Sequence, residues 1–274
     1  MDPALEAILQ QLMPFWLVVA RLSGLFLFAP ILASRLVMRQ VRVLLLVMLA
    51  VALYPAVAAQ GVQTPPLEIG SLAMVLLGEV LIGLAIGLLA TMPLVAIQIA
   101  GSIISYKIGL ALAQVFNPEF DAQSEVIGQV LYLMGLAIFV QVGGLEYTII
   151  AVMETFDALP PGAAWLDVAP AQLLAAMLDA AFIVGLRIAM PVLLLATLVS
   201  LAMGVLMRTI PQINIMTIGF AIQIVLGLSV LAVSMLAVGD VAADAIVDGF
   251  DEIWRWAGAL GEAPMILLPG GGHG

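Results

Sequence analysis

The spacing of ionisable residues constrains this chain more than any other feature. Uncharged stretches run over residues 43–67, 80–106, 126–145, 188–207 and 209–239, and Arg21 is the only charge in a further apolar segment over 12–33. A bilayer core of roughly 30 Å is crossed by about 20 apolar helical residues, so most of these stretches are long enough to span it. Membrane β-strands alternate apolar and polar positions over short segments, whereas here the apolar residues run continuously. Helices satisfy their own backbone hydrogen bonds in lipid, and the expected fold is therefore all-α, a polytopic membrane protein of about six long apolar helices.

Composition agrees: 64% of residues are hydrophobic and 9% charged, far from the usual balance of soluble domains. Asp2 and Glu6 stand where a secretory signal carries lysine or arginine, so the first apolar segment is expected to be retained. The absence of cysteine excludes disulfides and thiolate chemistry. A net charge of −10 with eight lysines and arginines argues against nucleic acid as a partner.

The helices are expected at 12–33, 42–59, 70–100, 127–150, 172–207 and 214–239. Pro55 and the run from Gly61 to Pro66 punctuate the second, Pro160, Pro161 and Gly162 the fourth, and Pro211 the gap between the last two. Helices three and five exceed a simple span, and Pro191 is a candidate kink in the fifth. The positive-inside rule places the turn with Arg35, Arg39 and Arg42, the Lys107 loop and the Arg208 turn on the cytoplasmic side, which puts both termini outside. Beyond residue 239, Asp240, Asp244, Asp248 and Asp251 share one helical face, with Ile246, Phe250 and Trp254 on another. That acidic face is either simply solvated or a dock for a basic partner. We expect one helical domain over 1–262 and a flexible tail over 263–274.

Chemistry-bearing motifs are sparse. The single histidine, His273, falls in that tail, leaving no histidine base or zinc site for the helical body; no Walker loop or G-x-S-x-G turn occurs. We expect no catalytic residues, no metal and no cofactor. Ionisable groups inside apolar helices are costly and are candidates for function by default. Here these are Arg21, Glu79 and Arg187, either an ion relay or interhelical ion pairs, and which arginine meets Glu79 is left open. "GEVLIGLAIG" places Gly83 and Gly87 four apart, with Gly78 upstream, which suits close backbone approach inside the chain or between subunits. In "RTIPQINIMTIGF", Arg208, Gln212 and Asn214 put polar groups at the start of a span, where they either bond across to a neighbouring helix or subunit or form a capping turn.

Four blocks together resemble the FliR/SctT family, the export-gate subunit of flagellar and virulence type III secretion systems. They are "RLSGLFLFAPILASRLVMRQVRVLL", "GEVLIGLAIG", "AGSIISYKIGLALAQVFNPEFDAQSEVIGQ" and "MGVLMRTIPQINIMTIGFAIQIVLGL", in order over about residues 15–235. The flagellar form of the pattern fits more closely than the virulence form. One departure is plain: in "GGLEYTIIAVMETFDALPPG", Leu145 stands where flagellar relatives commonly carry histidine, and Thr155 precedes Phe156.

The resemblance implies helical hairpins within a hetero-oligomeric spiral of FliP-like and FliQ-like subunits, an FlhB-like switch protein as a further partner, and unfolded polypeptides as export substrates. It implies a place in the bacterial inner membrane, within the basal body, in a complex that stands proud of the membrane plane. It also implies that the loop of about 106–125 plugs a central channel, with Gly109, Leu110, Leu112, Val115, Phe116, Asn117 and Pro118 as the stopper, beside a methionine-rich constriction supplied by a partner. The competing reading from the charged residues is a small-molecule secondary transporter using Glu79 and the arginines as coupling groups. Such a protein is expected to carry a central site of broken helices and often an internal repeat, and no repeat is evident.

Overall fold

In the computed structural model the described residues are 3–34, 37–59, 69–110, 126–162, 170–209 and 215–262. They form seven helices: α1 (Pro3–Phe28), α2 (Arg39–Ala59), α3 (Ile69–Ile108), α4 (Val126–Gln141), α5 (Gly144–Ala158), α6 (Pro170–Thr209) and α7 (Ile215–Glu262). Four of them, α2, α3, α6 and α7, are long and apolar enough to cross a membrane, and the α4/α5 pair makes a fifth if it is counted as one span. The chain is a polytopic all-α membrane protein.

The expectation of six helices is corrected in the fourth. A single helix over 127–150 cannot pass Gly143, whose φ of 80° lies in the left-handed region and interrupts the hydrogen-bond ladder. The first helix ends at Phe28, ahead of Pro30 and of Ile31 with φ 67°, instead of running to residue 33. The last continues through the aspartates to Glu262, because charge on one face does not stop a helix and nothing in 240–262 breaks the ladder. Helix α6 runs without interruption through Pro191. The expected tail, 263–274, lies outside the described residues.

Contacts cluster into two compact units. The first comprises Met1–Thr91, Gly143–Met177 and Asp248–Gly274; the second comprises Met92–Val142 and Leu178–Val247.

In the first unit, α1 lies against the middle turns of α3 at backbone contact. A Cβ at Gly24 would run into the Val80 carbonyl and the Leu84 nitrogen, one at Gly83 into the Arg21 carbonyl, and one at Gly87 into the Leu25 carbonyl at 2.7 Å. Small residues let dispersion and backbone contacts replace a hydrophobic drive that lipid does not supply. Gly78 takes no part in this seam, since a Cβ there meets nothing within 4 Å. Leu17, Leu22, Leu25, Ile82 and Ile86 close the core around the seam, and Thr91 Oγ1 donates to the Phe28 carbonyl at its end. Helix α2 touches α1 through the edge-on pair Phe15 and Tyr54, 5.7 Å between ring centroids. Tyr147 of α5 packs on Phe250 and Trp254 of α7 at 5.4 and 5.5 Å, so the apolar face opposite the aspartates is a packing face.

The second unit is built round the last turns of α3. Gly101 faces the backbone of Gly128 on α4, and Gly135 faces Ile97 and Leu94, which makes α3 and α4 an antiparallel hairpin. On α6, Gly185 lies over the Ala96 carbonyl; on α7, Gly227 lies over Ile108. Leu94, Ile97, Ala100, Ile104 and Ile108 are fully buried at the centre of this arrangement.

Candidate functional site

Among the described residues two places concentrate polar chemistry, one in each unit. In the first, Arg21 is wholly buried and Glu79 is 2% exposed, and Arg21 Nε donates to Glu79 Oε2 at 2.6 Å. The glycine seam brings them together: Gly24 and Gly83 let α1 and α3 touch at this level, so the two side chains meet without stretching. The remaining guanidinium donors go to the end of α5. One terminal nitrogen donates to the Thr155 carbonyl at 2.9 Å, the other to the Leu159 carbonyl at 3.1 Å. The Thr155 carbonyl already accepts the Leu159 N–H at 3.0 Å and gives Arg21 its second lone pair, and the end of the helix carries the negative end of its dipole, so a fixed cation suits this place. The guanidinium also lies 4.1 Å from the centre of the Phe156 ring. Glu79 Oε1 accepts from the Gly162 backbone N–H at 3.0 Å, in a turn where Gly162 takes φ 90°.

Every arm of this ion pair is therefore engaged. A buried pair is tolerated only when such additional bonds satisfy its remaining donors and lone pairs. Of the two arginines open to Glu79, Arg21 is the partner. Arg187 is exposed on α6 and makes no hydrogen bond or ion pair among the described residues. Four groups in the cluster were not singled out by sequence, namely the Thr155 and Leu159 carbonyls, the Phe156 ring and the Gly162 N–H. The cue was present in the Pro160-Pro161-Gly162 turn, which can hold a backbone donor at a fixed angle.

In the second unit, α3 ends in a Schellman stop. Gly109 has φ 90°, its N–H donates to the Tyr106 carbonyl at 3.2 Å, and the Leu110 N–H donates to the Ser105 carbonyl at 3.1 Å. Gln223 of α7 donates its side-chain amide to the Lys107 carbonyl at 2.5 Å, taking up another carbonyl of the last turn. Thus the point where the sequence-identified loop leaves α3 is held by a glycine geometry and by a second helix. The other end of the loop, at Val126, is held through the contact of Gly128 with Gly101. Leu112, Val115, Phe116, Asn117 and Pro118 lie outside the described residues, as do Gln212 and Asn214. Arg208 is exposed in the last turn of α6. Gln223 was not anticipated, because an amide inside an apolar run carries no sequence mark of its partner. No group of three or more metal-ligating side chains occurs among the described residues.

Fold and site define an all-helical polytopic membrane protein with an internally neutralised ion pair and a segment rooted at both ends between two packed helices. The model of bacterial export proteins, family 1, matches residues 12–248. A flagellar biosynthetic protein FliR of Bacillus subtilis (strain 168) is 32% identical over 225 residues, 81% of this chain and 85% of the relative. One of Escherichia coli (strain K12) is 30% identical over 221 residues, 81% and 83% of the two chains. The secretion system apparatus protein SsaT of Salmonella typhimurium is 27% identical over 158 residues, 57% and 61%. The chain belongs to this export-protein family, the FliR/SctT family.

Proposed function

We propose that this protein is a structural subunit of a type III protein export gate in the bacterial inner membrane, within the basal body of a flagellum or related apparatus, and that residues 109–118 stopper its channel. The observation that carries the stopper is the rooting of the segment. Its first residues are fixed by the Gly109 stop and by Gln223, and its far end by the Gly101–Gly128 contact. Between those roots the sequence supplies Leu110, Leu112, Val115 and Phe116, then Asn117 and Pro118. An apolar constriction excludes water and ions by dewetting, and a lid needs fixed roots with compliant points between them. Asn117-Pro118 supplies the compliant point between the roots.

FliP-like and FliQ-like subunits are the proposed neighbours, with an FlhB-like protein docking on the assembly and unfolded polypeptides passing through it. The Arg21–Glu79 cluster is assigned a structural role, holding α1, α3 and the end of α5 together. A coupling carboxylate in a transporter lines a pathway, whereas Glu79 is buried and both its oxygens are taken up by protein donors. The test is deletion of residues 110–118 in the assembled complex, with ion conductance and export measured together. A leak is expected; unchanged permeability in a correctly assembled complex removes the stopper role.

A further inference from the structure

One buried hydroxyl of the second unit stands without a partner. Ser105 is 2% exposed, and its Oγ makes no hydrogen bond. Other hydroxyls of the same unit behave differently. Ser102, Thr197, Ser200 and Ser229 each donate to the carbonyl four residues earlier, and Ser234 donates to the one three earlier. Ser105 has the same kind of acceptor one turn back in α3, the second lone pair of the Gly101 carbonyl. Packing, and not want of an acceptor, therefore keeps this bond unmade. Residues four apart share a helix face, so Ser105 lies on the side of α3 that Gly101 presses against Gly128, one turn nearer the loop. It also belongs to the turn that ends at Gly109: the Ser105 carbonyl accepts the Leu110 N–H, and Gln223 holds the Lys107 carbonyl two residues on. The orphaned hydroxyl thus sits where both roots of the 109–118 segment come together.

We propose that Ser105 holds a hydrogen bond in reserve: the closed α3–α4 hairpin withholds it, and displacement of the hairpin roots lets the hydroxyl turn back to the Gly101 carbonyl. The proposal rests on the stopper reading of residues 109–118 and adds a regulation to it, a built-in bias toward opening. A buried hydroxyl without a partner is less favourable than a methyl group in the same place, so the closed form carries a penalty that the open form sheds. A bond of ordinary strength shifts such an equilibrium by roughly tenfold. The Gly109 stop and Gln223 act in the opposite sense, because they fasten the same turn in its closed form. Closure is then firm enough to exclude solutes and still close to release. A group that breaks a local rule with no local gain is expected where a structure has to change shape.

The test is Ser105→Ala in the full chain, co-expressed with its partner subunits. The assembled complex is expected to melt at or above the wild-type temperature in detergent, because no satisfied bond is lost. A lower melting temperature would mean that the hydroxyl is already bonded, and it overturns the proposal. Export by the variant complex should be severalfold slower than wild type at equal recovery of the assembly; export at the wild-type rate or faster also overturns it. Combined with Gln223→Leu, the substitution should suppress the ion leak of that variant roughly tenfold. An undiminished leak counts against the bias, and if Gln223→Leu alone proves tight the export rate decides. Deletion of residues 110–118, measured beside these variants, reports separately on the stopper. A tight deletion complex removes that reading, while the melting comparison still shows whether the Ser105 bond is unmade.

Discussion

Arg21 and Glu79, 58 positions apart in sequence, meet at 2.6 Å in an environment almost without solvent. Their contact converts two costly charges into the joint that holds α1, α3 and the end of α5.

Removing one partner should therefore be far worse than removing both. Glu79→Leu leaves a buried uncompensated guanidinium and is expected to cost about 3–5 kcal/mol, whereas Arg21→Met with Glu79→Leu should restore most of that loss. Thermal denaturation of the purified chain or complex in detergent checks this. Equal destabilisation by the single and double variants would disprove the pairing as the source of the cost.

The glycine seam makes a graded prediction. Gly24→Ala and Gly83→Ala drive a methyl into backbone atoms and should each cost about 1–3 kcal/mol or more. Gly78→Ala, one turn away on the same helix, meets open space and should be neutral or stabilising by about 1 kcal/mol through helix propensity. Melting temperatures of the three variants separate close approach from a general intolerance of substitution.

At the stop of α3, Gly109→Ala places a side chain in the left-handed region, which costs about 1–2 kcal/mol. Gln223→Leu leaves the Lys107 carbonyl without its side-chain donor. Both variants are expected to raise ion leak through the assembled gate while the complex still forms. Conductance recordings on vesicles holding the intact assembly decide the point, and wild-type leak in both would separate this helix end from gating.

Deletion of 110–118 should leak more than either point variant, because it removes the apolar segment and not just its anchorage. Replacing Leu110, Leu112, Val115 and Phe116 with serine should reproduce much of that leak at full chain length, since dewetting depends on apolar lining. A tight channel in the serine variant would point to bulk, not polarity, as the barrier.

Much of the architecture was readable from charge spacing alone. The spans over 43–67, 80–106, 188–207 and 209–239 correspond to α2, α3, α6 and α7, because hydropathy over tens of residues depends little on neighbours. The break at Gly143 was missed for a local reason: a glycine pair inside an apolar run is compatible with either a helix or a turn, and packing chooses. Glu79 and its candidate partners were likewise visible as costly charges. Gly24 went unnoticed because its role is to admit the backbone of α3, a segment more than fifty residues away. Gln223 was overlooked beside the more conspicuous Gln212 and Asn214, since its value comes from the carbonyl of Lys107 on another helix.

By itself the sequence determined that this chain is helical, lives in an apolar environment and bears the four blocks of an export protein, because length, hydropathy and motif order are properties of the chain taken one stretch at a time. Tertiary structure alone decided that Arg21, and not Arg187, neutralises Glu79, that Gly24 joins Gly83 and Gly87 in one seam, and that Gln223 holds the end of α3. Those choices depend on the register of one helix against another, which small residues and backbone contact set at distances no local pattern records.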